Sequence, residues 1–171
     1  MTCIVGIADG SQVVIGGDRS MGDESVTLST LRPKVVKIGE YIIGYSGSMG
    51  IGQLMHCITI PPPSKDPFIT IRFNVVEEMK KAIESYAAYN ENNETDFLIG
   101  VRGRLFELNT EDWQVAEYAE SAVGSGGQIA LGSLHSTKNI YTDNTLRVSL
   151  ALAAAIDLSP GCLGPVDIVS G

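Results

Sequence analysis

Histidine is scarce in this chain: His56 and His135 are the only two in 171 residues. That argues against a His-based catalytic triad. With three widely spaced cysteines it also argues against a Cys/His metal cluster, so neither a metal nor a cofactor is expected. Cys3, Cys57 and Cys162 are odd in number and far apart, a pattern that fits reduced, buried thiols better than a disulfide framework. Basic residues are also in short supply. Twelve Lys and Arg stand against twenty Asp and Glu, and the net charge of −8 excludes the basic stripe that a nucleic acid or an anionic membrane would require. There is no apolar run of membrane-spanning length and no charged-then-apolar leader, so a cytoplasmic protein without a membrane partner is the expectation. Internal repeats and low-complexity tracts are lacking too.

What remains is an ordinary globular composition, 44% hydrophobic and 19% charged, sufficient for one domain over residues 1–171. Its most informative stretch is the first eighteen residues. Thr2 opens an apolar strand to Ala8, Asp9-Gly10 turns the chain, and a second strand from Ser11 to Gly17 ends at Asp18. A small residue after Met1 permits removal of the initiator, which would give Thr2 a free α-amine. A threonine hydroxyl is a weak nucleophile unless a base adjoins it, and an N-terminal amine can serve as that base. Its unperturbed pKa of roughly 7.7–8.0 suits the task.

Further along, Ser20–Thr30 is polar and reads as a loop or irregular ribbon crossing a site mouth. Val35–Ile38 and Tyr41–Tyr45 form a second hairpin around Gly39-Glu40, with Lys34 just before it. Ser46-Gly47-Ser48-Met49-Gly50 reads as a strand running into a helix N-terminus, where backbone N–H groups point outward. Pro61-Pro62-Pro63 resets the chain. Apolar residues at Phe73, Val76, Met79, Ala82, Ile83 and Tyr86 predict an amphipathic helix within Phe68–Tyr89. Asn90–Thr95 is a polar loop. A three-stranded meander follows over Asp96–Val101, Leu105–Leu108 and Gln114–Tyr118. Ala122-Val123 leads into Gly124-Ser125-Gly126-Gly127 and a helix from Gln128, another helix covers Asn144–Ile156, and Val166–Val169 is a last strand. Strand runs alternating with helix pairs indicate antiparallel sheets with helices on their outer faces.

Five of these features in register resemble the proteasome β-subunit family of N-terminal nucleophile hydrolases, particularly its HslV-like members. They are Thr2, Gly17-Asp18, Lys34, Ser46-Gly47 and Gly124-Ser125-Gly126-Gly127. Asp18 follows Thr2 by sixteen residues and Lys34 follows Asp18 by sixteen, the family's own interval. The resemblance implies an α+β fold, a four-layer αββα sandwich of two antiparallel sheets, and a threonine peptidase acting on polypeptides. It further implies a homo-oligomeric ring supplied by an ATP-dependent unfoldase. Thr2 would be the nucleophile, Lys34 the cation beside it, Asp18 the partner of Lys34, Gly47 the oxyanion donor and Ser125 the group that orients the amine. Met21, Tyr45 and Met49 would line the pocket for the side chain preceding the scissile bond.

Each residue also has a plainer reading: Asp18 as a turn carboxylate, Lys34 as a surface charge, Gly47 as a tight turn, Ser125 as a helix cap, His56 and His135 as surface or capping residues. The family's Asp, then Ser three residues on, then Gly, falls here on Asp157, Pro160 and Gly161, so support would have to come from Asp157 and a displaced Ser159. Two alternatives keep the fold: a small-amide hydrolase and a non-catalytic ring subunit.

Overall fold

The computed structural model describes residues 2–22, 27–86 and 94–171. Its first sheet joins β1 (Ile4–Ala8), β2 (Val13–Asp18), β10 (Glu120–Val123) and β11 (Val166–Ser170) in the order β10-β1-β2-β11. The second joins β5 (Val35–Ile38), β6 (Tyr41–Gly47), β7 (Thr95–Val101), β8 (Arg104–Asn109) and β9 (Val115–Tyr118) in sequence order. All pairings in both sheets are antiparallel. A short ribbon of β3 (Ser20–Gly22) and β4 (Thr27–Ser29) stands apart from them.

Period-two alternation sorts the strand residues into three cores. Ile4, Val13 and Ile15 face Val35, Ile42, Leu98 and Leu105 between the sheets. The alternate residues Val5, Ile7 and Val14 meet α4 (Gly127–Thr137) and α5 (Asn144–Leu158) through Ala130, Leu134, Val148 and Leu152. On the far side Tyr41, Ile43, Phe97 and Ile99 meet α1 (Met49–Cys57) and α3 (Val76–Glu84) through Ile51, Met55, Met79 and Ile83. The result is four layers, helices, sheet, sheet, helices, as the resemblance implies. Because both faces of the inner strands are covered, those strands are apolar on both sides.

Several local expectations change. Four residues rather than two connect β1 to β2. The Asp9 carboxylate accepts from the Ser11 N–H (2.9 Å), the Ser11 hydroxyl (2.7 Å) and the Gln12 N–H (3.0 Å), so Ser11 and Gln12 belong to the turn. These bonds, led by the Ser11 hydroxyl, hold Asp9 down to about 2. The helix expected after residue 68 is interrupted. A four-residue turn, α2 (Pro67–Thr70), runs into a π-helical turn at Ile71–Val75 before α3. The extra residue per turn rotates the apolar stripe, so Ile71 and Val75 are buried while Phe73 is 60% exposed. β10 was not legible as a strand, and Cys57 is exposed while Cys3 and Cys162 are buried. Residues 87–89 of the expected helix, 90–93 of the expected loop and 23–26 of the ribbon lie outside the described residues.

His56 is half-buried near the end of α1 rather than at the surface. Its ring packs edge-on to Tyr45 with centroids 5.2 Å apart, and its Nε2 is buried without a partner among the described residues. Burial pushes its pKa below the ordinary 6.5, with a weaker opposing pull from a backbone hydrogen bond at Ile43. As pH falls through 6.5 the unfolded chain therefore gains a proton that the folded chain resists, and stability declines. His56→Phe is expected to flatten the acid limb of melting temperature against pH from 6.5 downward, as read by calorimetry. An unchanged limb would show that another group sets it.

Candidate active site

β1 and β2 run side by side, and their pairing brings the start of the chain to the end of β2, where Asp18 lies. Asp18 is fully buried, and its carboxylate is saturated with donors. Oδ1 accepts from the Cys3 N–H (3.1 Å) and Lys34 Nζ (3.2 Å). Oδ2 accepts from the Ser20 hydroxyl, the Ser20 N–H (3.3 Å) and the Leu163 N–H (3.2 Å). A buried carboxylate is tolerated only with such compensation.

Lys34 arrives from the residue just before β5 and is 2% exposed. Its Nζ donates to Thr2 Oγ1 at 2.5 Å, and the same nitrogen lies 3.4 Å from the Ser20 hydroxyl. Burial lowers the Lys34 pKa, while the Asp18 charge and hydrogen bond pull the other way. Thr2 is itself 95% buried: its N–H donates to Ser125 Oγ (3.2 Å), and its carbonyl accepts from the Gly126 N–H (3.2 Å). Gly124, at φ +91°, makes this approach feasible, because a Cβ there would run into the Thr2 carbonyl and the Ser46 hydroxyl.

Thr2, Lys34 and Gly47 line a cavity of about 340 Å³, together with Ser20, Met21, Gly22, Tyr45 and Met49. Tyr45 is buried and donates its hydroxyl to Met49 Sδ (2.7 Å). Burial pushes its phenol up to about 12, so it stays neutral. Met21 is half exposed at the rim. Gly47 ends β6 with φ +110°, and a Cβ on it would collide with the Glu94 carbonyl. Gly47→Ala is expected to cost about 1–3 kcal/mol through this strain, measured by denaturant unfolding. A cost near zero would mean that β6 ends with more freedom than its geometry implies.

Thus Thr2, Asp18, Lys34 and Ser125 converge, and Met21, Tyr45, Gly47 and Met49 share one cavity with Thr2 and Lys34. Ser125 is not the side-chain cap of α4. Asp157, by contrast, is exposed on the last turn of α5 and bonds to none of these groups. Ser159 is buried beside Cys162, whose N–H donates to its carbonyl (3.0 Å). Sequence reasoning missed Ser20 and Leu163. Ser20, two residues beyond Asp18 and so on the same side of an extended chain, carried a readable signal. Leu163 acts through its backbone and carried none. Among the described residues no group of three or more His, Cys, Asp or Glu could hold a metal ion, and no helix is long and apolar enough to cross a membrane.

The layer order and sheet topology define a four-layer αββα sandwich of two antiparallel sheets. Among solved structures, BPH from Thiobacillus denitrificans in complex with epoxomicin superposes with a TM-score of 0.85 at 18% identity, over 99% of this chain and 97% of that one. BPH from the same organism in a second structure gives 0.83 at 20% identity, over 100% and 97%. Eukaryotic HslV from Trypanosoma brucei gives 0.73 at 17% identity, over 98% of both chains. No protein-family model and no curated protein sequence matches the chain. At these identities the likeness establishes a shared fold along the whole chain.

Proposed function

We propose that this protein is an N-terminal threonine peptidase and forms a homo-oligomeric ring of the proteasome-like kind. The observation that carries the reading is Lys34 Nζ at 2.5 Å from Thr2 Oγ1, with Ser125 Oγ at the Thr2 nitrogen and an apolar-walled cavity beside them. Removal of Met1 turns that nitrogen into an α-amine. Thr2 Oγ1 then attacks a peptide carbonyl while its proton passes to the amine, directly or through a water. Lys34, as an ammonium, lowers the hydroxyl's pKa, and Asp18 keeps that charge in place. The Gly47 N–H receives the developing oxyanion, an interaction worth about 2.7–4 kcal/mol in other hydrolases. Collapse expels the amine product, which takes the proton back, and leaves an acyl ester on Thr2. Water, activated by the freed α-amine, hydrolyses that ester and regenerates the hydroxyl.

Met21, Tyr45 and Met49 give the cavity an apolar lining, so peptides with an apolar residue before the scissile bond are the substrates to test first. Rings conceal such sites from folded proteins, and an ATP-dependent unfoldase would feed them. Neither nucleic acid nor membrane has a part in this reading, a cytoplasmic setting suits it, and residues 1–171 act as one domain. The test combines intact mass, native mass and labelling by a vinyl sulfone or β-lactone. The expected outcome is loss of Met1, an assembly many times the 18.2 kDa chain, and one adduct on the Thr2 peptide. A retained Met1 would overturn the peptidase reading in favour of a structural ring subunit, and a monomer or dimer that labels at Thr2 would point to a small-amide hydrolase.

A further inference from the structure

Gly47 ends β6 with φ +110°, a conformation that glycine permits but does not select. What holds it there lies one residue further on. The Ser48 N–H is shared between two acceptors, the Thr95 hydroxyl (3.2 Å) and the Glu94 carbonyl (3.3 Å). The rest of Ser48 is tied to α1: its carbonyl accepts from the Gly52 N–H (2.9 Å) and its hydroxyl from the Ile51 N–H (3.5 Å). Thr95 is in turn a fixed point. It is 1% exposed, its N–H donates to Thr110 Oγ1 (3.0 Å), and its carbonyl accepts from the Thr110 N–H (3.1 Å).

The bond from Ser48 to Glu94 also determines which way Gly47 faces. Gly47 stands opposite Thr95, so Ser48 and Glu94 are the next pair of the antiparallel ladder. In such a ladder hydrogen-bonded pairs alternate with pairs that exchange no bond. A bonded Ser48–Glu94 pair therefore makes Gly47–Thr95 a pair without one, and the Gly47 N–H points away from β7. On that other edge of β6 the ladder with β5 stops at Gly44, and Gly47 lines the cavity with Thr2 and Lys34. The Thr95 hydroxyl thus does not touch the Gly47 N–H; it holds the peptide that follows it.

We infer that Thr95 is a positioning residue for the oxyanion donor: by clamping the Ser48 N–H, its hydroxyl keeps the Gly47 N–H aimed into the cavity. The consequence for catalysis rests on the peptidase reading, with Thr2 as nucleophile; the clamp on Ser48 does not. Oxyanion stabilisation depends on a donor already in place, about 2.7–3.1 Å from where the charged oxygen will form. A glycine released from its anchor samples other φ values and spends less time in that geometry.

The experiment compares wild type, Thr95→Val and Thr95→Ser as full chains. Valine keeps the shape and removes the acceptor, whereas serine keeps the acceptor. Hydrolysis of a peptide with an apolar residue before the scissile bond should show kcat lowered roughly 10- to 100-fold in Thr95→Val with KM little changed, the signature of an interaction made in the transition state. Inhibition by the matching peptide aldehyde should weaken by a similar factor. There the Thr2 oxygen adds to the aldehyde carbon, the hydroxyl proton passes to the new tetrahedral oxygen, and that oxygen takes the place of the oxyanion. Thr95→Ser should recover most of kcat. Independently of activity, exchange of the Ser48 amide hydrogen should accelerate roughly 5-fold in Thr95→Val and not in Thr95→Ser. If Thr95→Val does not fold, Thr95→Ala takes its place with the same expected results. The inference is overturned if kcat persists without the Thr95 hydroxyl, if KM rises as far as kcat falls, or if Ser48 exchange is unchanged. Absence of hydrolysis by wild type would instead overturn the peptidase reading, and Ser48 exchange would still decide the role of Thr95.

Discussion

Thr2→Ala is expected to abolish peptide hydrolysis and active-site labelling while leaving the fold intact. The substitution removes the only atom through which this residue can attack a carbonyl, and loss of a nucleophile that works with its own base costs on the order of 10⁶ in turnover in the best-measured hydrolase. The structural cost is small by comparison. Thr2 Oγ1 gives up its hydrogen bond with Lys34 (2.5 Å), but Lys34 retains Asp18 at 3.2 Å, so no buried charge is orphaned. A stability change of about 1 kcal/mol is the scale for one such bond. Thr2→Ser keeps the hydroxyl and should retain measurable turnover. Fluorogenic peptide hydrolysis and adduct mapping read the outcome, and a Thr2→Ala variant with wild-type hydrolysis would eliminate the assignment.

Asp18→Ala should have the largest effect on stability. It strips Lys34 of its counter-charge at a site where the ammonium is 2% exposed, and it leaves the Cys3, Ser20 and Leu163 N–H groups without their shared acceptor. Removing one partner of a buried pair costs about 3–5 kcal/mol. The deficit should shrink as pH rises. With Asp18 gone, the two largest contributions opposing burial at Lys34 are lost, and its folded pKa drops further below the ordinary 10.5. Between that lowered value and 10.5 the unfolded chain binds the extra proton, so stability increases with pH across the window. Replacing both residues, as Asp18→Leu with Lys34→Met, should cost less than Asp18→Ala alone, since no charge is then left buried. Urea unfolding at two pH values tests this, and a pH-independent loss would mean that the N–H groups, not the ammonium, dominate.

The resemblance carried by five short motifs anticipated the layer order correctly, because alternation in the strands and helical spacing in α4 and α5 follow from burial on particular faces. Where local pattern misled, a tertiary demand prevailed. The π-helical turn at Ile71–Val75 obeys the surface that the helix must cover, and no residue type announces it. β10 is four residues whose partners are β1 residues more than a hundred positions away. Asp9-Gly10 signalled a turn but not its length, which the Asp9 side chain sets by capturing two further N–H groups. At the site, Thr2, Asp18, Lys34 and Ser125 were readable because their side chains make the contacts. Leu163 was hidden because only its backbone does.

The Asp18 bond to the Leu163 N–H and the Thr2 bond to Ser125 span 145 and 123 positions of sequence. The cluster around Thr2 therefore cannot be completed until long after its first members are made: Thr2, Asp18 and Lys34 leave the ribosome well before the loop that clamps Asp18. Contacts this distant form slowly, since the chain between them must be ordered first. On the proposed reading, a half-made chain thus carries the threonine without the Ser125 and Leu163 groups that complete its surroundings in the folded protein.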